Sequence, residues 1–199
     1  MIVVGILAPL ASPRAANPVV EIARRAAAKG ARAEVVGVAP LGATGDRQLV
    51  ALAAAGVGHA TVTRSAASGI ERADLELALR YLPDVRVIVL VAPPAPLLAS
   101  ALAASAWSGA TLVVVGPLDA DAIALLDASG AGGDIPAAPA SPAPASVASA
   151  APILLDPPAH DPDGAFAGVV AALAARLDAG EDPARAWRST LAALAIGSA

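Results

Sequence analysis

The stretch from Asp156 to Phe166 reads DPPAHDPDGAF and places three carboxylates and a histidine just ahead of an apolar, helix-spaced run. A helix start presents unpaired backbone N–H groups and the positive end of the peptide dipoles, so it suits an anion such as phosphate. A carboxylate there can act as a general base toward an accepting hydroxyl. His160, Asp161 and Asp163 also offer hard and borderline metal ligands close together. The plainer reading is a cap: Asp161 or Asp163 at a helix start satisfies its free amides without further chemistry. Capping is the commonest use of such residues, so it ranks first, with catalysis and then metal binding behind it.

Other polar positions have the same double reading. Asn17 precedes Pro18, a pairing that marks a helix N-cap followed by its first residue. Gly42, Gly45 and Asp46 form a glycine-rich turn leading into a helix, with Asp46 as its cap. His59 opens a short strand and is read as structural. Trp107 and Trp187 fall in helical patterns and are expected to be packing anchors. Glu181, Asp182 and Pro183 read as a capped helix start. The chain has no phosphate-binding P-loop, nucleophile-elbow, zinc-protease or dinucleotide-turn motif.

The elements that would position these residues follow from periodicity. Strands are expected at 2–7, 33–38, 59–63, 85–91, 111–115 and 153–155, each short and rich in β-branched residues. Helices are expected at 17–29, about 46–55, 71–82, 96–108 and 119–128, then as a terminal pair interrupted near Gly180. Continuous apolar strands alternating with helices indicate a parallel sheet covered on both faces, a three-layer α/β/α domain. Residues 130–151 are Ala-, Pro- and Ser-rich, and proline at that density neither continues a helix nor donates to a ladder, which predicts a linker. The expected division is an α/β core at 1–129, the linker, and a strand and helix pair at 152–199 that complete the same domain.

Composition narrows the functional classes. The chain has 199 residues, of which 57% are hydrophobic and only 2% aromatic. Alanine therefore supplies much of the apolar content, and such a core depends on close approach of its elements more than on large side chains. A net charge of −4 without any Lys/Arg run argues against nucleic acid as a partner. The absence of cysteine excludes disulfides and thiolate chemistry and fits a cytoplasmic location. Val87 to Leu118 carries no charge, but Pro93, Pro94, Pro96, Gly109, Gly116 and Pro117 divide it, so no membrane span is expected.

Four segments, read in order, resemble the ribokinase-type (phosphofructokinase-B) carbohydrate kinases. They are MIVVGILAP, then NPVVEIARRAAAKGARAEVVGVAPLGATGDRQLVALAAAGV, VRVIVLVAPPAPLLASALAASAWSGATLVVVGP, and DGAFAGVVAALAARLDAGEDPARAWRSTLAALAIG, together about two thirds of the chain. The resemblance implies a ribokinase-like α/β/α fold with a predominantly parallel sheet, and transfer of the γ-phosphoryl of ATP, with Mg2+, to a sugar or nucleoside hydroxyl. It implies substrate contacts at Asn17, Gly42 and Asp46. It implies a nucleotide or anion contact at Gly164, Ala165 and Phe166.

The departures from the family pattern are as informative. The family signature is Gly-Ala-Gly-Asp-x-Phe, whose Asp is the base and whose glycine amides form an anion hole. Aligned on Ala165-Phe166-Ala167-Gly168, the base position falls on Gly164 and the glycines on Asp161-Pro162-Asp163. A slip of one residue makes Asp163 the base. Pro162 still removes an amide, and the carboxylates would repel a triphosphate. Ser12-Pro13 stands where the family has Gly-Gly, and the lid strands and part of the central region are missing. The expected protein is thus a shortened kinase relative with impaired phosphoryl transfer that keeps nucleotide or small-molecule binding. One alternative is an active divergent sugar kinase using Asp163. The other is a non-catalytic α/β protein that forms homo-oligomers.

Overall fold

The computed structural model describes residues 1–7, 17–66, 69–82, 84–129, 151–158 and 164–197, with side chains through residue 193. Six strands form one sheet: β1 (Ile2–Ile6), β2 (Glu34–Ala39), β3 (Gly58–Arg64), β4 (Val87–Val91), β5 (Thr111–Val115) and β6 (Ile153–Leu155). Their order is β3-β2-β1-β4-β5-β6, and every pairing is parallel.

The register explains why the central strands carry almost no polar residue. Val3 lies beside Val35 and Val89, Val89 beside Val113, and Val113 beside Ile153. Because side chains alternate between faces, this row points to one side. Ile2, Val4, Val36, Ile88, Leu90, Leu112 and Val114 point to the other. Both rows are buried, as a sheet sandwiched between helices requires, apart from Ile153 on the edge strand, which is half-buried.

Seven helices among the described residues cover the two faces. The first face takes α1 (Pro18–Ala28), α2 (Ala43–Ala54), α6 (Ala165–Asp178) and α7 (Pro183–Gly197). The second takes α3 (Arg72–Tyr81), α4 (Ala95–Ser108) and α5 (Ala120–Ala128). The molecule is therefore a three-layer α/β/α fold, as its strand–helix alternation predicts. Val87 to Leu118 divides into β4, α4 and β5, and no described helix is long and apolar enough to cross a membrane.

Helix α1 shows how the local sequence sets an element. Asn17 caps it, Pro18 occupies its first position, and Val19, Ile22, Ala23 and Ala26 bury one stripe. The helix ends where Gly30 takes φ 89°, with Gly30 N–H bonded to Ala27 O at 2.9 Å and Ala31 N–H to Ala26 O at 3.1 Å. Two bonds of this kind satisfy carbonyls that a bare helix end would leave open.

Near the first turn of α1, two neighbouring strand positions have no side chain. Gly5 of β1 pairs with Gly37 of β2. A methyl on Gly5 would lie 2.6 Å from Cγ2 of Val19, and one on Gly37 would collide with the Gly5 carbonyl. The glycine pair lets the first turn of α1 sit against the strand backbones.

Two sequence expectations need correction. Helix α2 begins at Ala43, not near Asp46, because Gly42 at φ 84° provides the entry turn and Gly45 continues the helix. Asp46 is thus inside the first turn rather than the cap. Trp107 is not a packing anchor: it is 90% exposed on α4, whereas Trp187 packs half-buried against the α1-side core. Of the expected linker, 130–150 lies outside the described residues. Beyond it, β6 pairs with β5 and α6 packs on α1.

Candidate functional site

Six parallel strands point their carboxyl ends to one edge, and α1 to α6 begin there. The strand order reverses at β1: β2 follows it on one side and β4 lies on the other. In open parallel sheets that reversal leaves a crevice at the carboxyl edge, the usual ligand position. Leu7 and Asn17 flank it from β1 and α1, and Ala92, Pro93 and Pro94 from β4 and α4.

Asn17 is committed to structure. Its Oδ1 accepts from Val19 N–H at 3.0 Å and Val20 N–H at 3.3 Å, while its Nδ2 donates to Ile6 O at 2.9 Å. One buried side chain therefore caps α1 and ties that cap to the end of β1. Gly42 and Asp46 stand farther along the edge, beyond β2. Asp46 pairs with Arg64 at the end of β3, and its N–H bonds Gly42 O at 3.1 Å. The structure thus holds the Asp46 carboxylate against a cation of the neighbouring strand.

The start of α6 is built differently. Gly164 takes φ 65° ahead of Ala165, and Phe166 leans half-buried on the core. The Arg25 guanidinium of α1 lies across this helix start. A methyl on Gly164 would stand 3.2 Å from Nη2 of Arg25, and one on Gly168 3.0 Å from Nη1. Glu21 accepts from Arg24 at 2.9 Å and from Arg25 Nε at 3.2 Å, which balances the added positive charge. Sequence reasoning passed over Arg25. Its signal is the glycine pair spaced by four, which clears one face of α6 for a neighbour's side chain.

Asp163, with His160 and Asp161, lies outside the described residues. Among the described residues, no group of three or more His, Asp or Glu side chains is arranged to hold a metal ion. His59 Nδ1 lies 3.0 Å from the carbonyl of Val57, a local structural contact. Asp182 Oδ1 accepts from Arg185 N–H at 3.1 Å and so caps α7.

The ends of β4 and β5 offer few backbone donors at this edge. Phosphate cradles need free amides, but Pro93, Pro94, Pro96 and Pro117 contribute none at the ends of β4 and β5. The Ala92 N–H is already bonded to Val115 O at 2.7 Å. Ala92 itself has φ 47°, a conformation costing about 1–2 kcal/mol in an L-residue. Asp46 is engaged by Arg64.

A cavity of about 210 Å³ opens at the opposite edge, among Met1, Arg32, Glu34, Asp84, Arg86 and Asp178. At its floor the Met1 amine donates to Asp178 Oδ1 at 2.9 Å and Arg32 O at 2.8 Å. Arg86 donates to Asp178 O at 3.4 Å. This cluster fastens the end of α6 to the start of β1. It stands away from the carboxyl edge where parallel sheets bind ligands.

No family model matches the chain, and no curated protein matches it. Among solved structures, one described as "Crystal Structure of Sa239" is similar with a TM-score of 0.60 and 13% sequence identity. The similarity covers 94% of this chain and 89% of that one. At that identity the likeness is one of fold, and it agrees with the three-layer α/β/α architecture described above.

Proposed function

We propose that this chain is a carbohydrate-kinase-like protein that has lost efficient phosphoryl transfer and keeps a small-molecule site at the carboxyl edge, between α1 and the start of α6. One observation carries the reading: the polar groups that a sugar kinase would turn toward substrate are engaged in holding the fold. Asn17 caps α1 and bonds Ile6, and Asp46 pairs with Arg64. Prolines at the ends of β4 and β5 withdraw the amides that a triphosphate needs. The glycine amides of the kinase anion hole are replaced in sequence by Asp161, Pro162 and Asp163.

Phosphoryl transfer depends on positioning and charge stabilisation, so losing both parts removes most of the rate. Coupled ADP-release assays on a panel of sugars and nucleosides test this directly. The expected result is no turnover above background. Robust turnover that disappears in Asp163→Ala would establish instead the divergent kinase using Asp163 as its base. Calorimetry tests the site: heat is expected with a sugar or nucleoside and weak or none with Mg-ATP. No heat with any ligand at millimolar concentration would remove the binding claim.

A further inference from the structure

Helix α4 has no charged side chain along its 14 residues. Its inner face is buried through Leu97, Leu98 and Ala101, and its outer face exposes Ala99, Ala103 and Trp107. A helix that is apolar on every side is normally covered on every side, whereas a surface helix turns its charges outward. α4 is also the middle helix of its layer, packed between α3 and α5.

The uncovered surface extends onto both neighbours. Leu77 and Tyr81 of α3 are 51% and 73% exposed, and Ile123 of α5 is 49% exposed. α3 and α4 both run back from the carboxyl edge, so Tyr81 and Trp107, each in a last turn, stand at the same end of the layer. Trp and Tyr are the side chains that most often anchor protein interfaces, and an apolar patch rimmed by charge marks an interaction surface.

At the far ends of the two flanking helices the outward charges have opposite signs, Arg80 on α3 and Asp127 on α5, while Glu71 and Asp74 at the start of α3 are joined in a capping box. On α3, Arg72 is paired with Glu76 of its own helix, and Arg80 lies outward beside Tyr81. On α5, Asp127 lies outward one turn beyond Ile123, with Asp121 nearer the helix start. A two-fold axis lying in the contact plane along α4 sets α4 on α4 and lays each α3 on the other copy's α5. α3 and α5 end at the same edge of the sheet, so Arg80 and Asp127 meet at equal height at both rims. That is the self-complementarity an isologous contact requires.

We infer that a second copy of this chain covers the outer face of the α3–α4–α5 layer, with Trp107 and Tyr81 as apolar anchors and Arg80–Asp127 pairs at the rims. The contact uses the layer opposite α1 and α6, so it stands or falls independently of the ligand reading. Sedimentation velocity of the full chain over a wide concentration range should show a monomer–dimer equilibrium. Trp107→Glu should raise the dissociation constant at least ~30-fold, because the residue enters the contact twice. Its circular dichroism should be unchanged, and its melting should match the wild type at concentrations where the wild type is a monomer, since the side chain is 90% exposed in its own copy. Arg80→Asp and Asp127→Arg should each weaken the dimer, and the two together should restore it. A wild-type monomer at all concentrations, or an undiminished dimer in Trp107→Glu, would overturn the proposal. Failure of the combined charge reversal to restore the dimer would overturn the two-fold placement.

Discussion

Replacing Gly5 with alanine tests whether the close seat of α1 on the sheet is real. Gly5 has no left-handed φ, so alanine can adopt its backbone and the objection is space alone. The added methyl would stand 2.6 Å from Cγ2 of Val19 and 3.3 Å from Cβ of Val91. Carbon atoms pack best at about 3.5–4.0 Å, so the overlap with Val19 is about 1 Å. Val19 cannot readily withdraw. It is fully buried and β-branched, and the helix turn carrying it is tied to β1 through Asn17 and Ile6. Overpacking of this kind costs about 1–3 kcal/mol, against a gain of about 0.5–1 kcal/mol for removing a strand glycine. The net expectation is a loss of about 1–2 kcal/mol. Urea unfolding followed by tryptophan fluorescence is a suitable assay, because Trp187 is half-buried against this core. At a slope of about 2 kcal/mol/M the midpoint should fall by roughly 0.5–1 M with the slope unchanged. Val19→Ala in the Gly5→Ala background should recover part of the loss, giving a coupling of about 1 kcal/mol in a double-mutant cycle. Gly5→Ala as stable as the wild type, or strict additivity with Val19→Ala, would refute the reasoning.

Asn17→Ala should cost about 1–2 kcal/mol by urea unfolding, and Asn17→Ser less, since a hydroxyl keeps the cap without reaching Ile6; equal losses would contradict the cap assignment. Asp46→Asn should change stability by no more than ~1 kcal/mol, because its pair with Arg64 is exposed to solvent; a loss of several kcal/mol would show that the turn depends on it. Burial works to raise the Glu181 pKa, but hydrogen bonds from Arg176 and Ser189 and the charges of Arg176 and Arg185 outweigh it and leave it below its ordinary 4.5. A depressed folded value means its contribution is whole above 4.5 and disappears as pH falls through the folded value. Glu181→Gln should therefore flatten the loss of melting temperature below that pH, and an unchanged acid limb would count against the cluster.

Strand positions were legible because a doubly covered parallel sheet demands uninterrupted apolar runs, and 111–115 and 153–155 coincide with β5 and β6. Strand order was not, since nothing local tells β1 that its second neighbour is β4. The start of α2 was misplaced because Gly45 resembles a turn residue, whereas its lack of a side chain lets it sit against the Pro40 carbonyl. Trp107 was assigned to the core because α4 is apolar all round, so periodicity cannot say which side is outer. At the candidate site the cap at Asn17 was readable from residue type and position, as was the cap at Asp182 at the opposite edge. Contact between Arg25 and the Gly164–Gly168 face joins distant parts of the chain and leaves only the glycine spacing as a trace. Asp163 remains a reading from sequence.

The central place of β1 also governs the order in which this chain can fold. Ile2 finds its first partner at Glu34, so β1, α1 and β2 can assemble early as one crossover unit. Its second partner, Ile88, arrives much later, and α6, which covers α1, later still. Until then Val89, Val113 and the inner stripe of α1 lack their cover of Val170, Ala171 and Ala174. A chain stopped before α6 therefore exposes the apolar face of its earliest-formed unit and is expected to engage chaperones or aggregate. Refolding should be limited by this long-range closure, with α6 docking as the step that makes the N-terminal half secure.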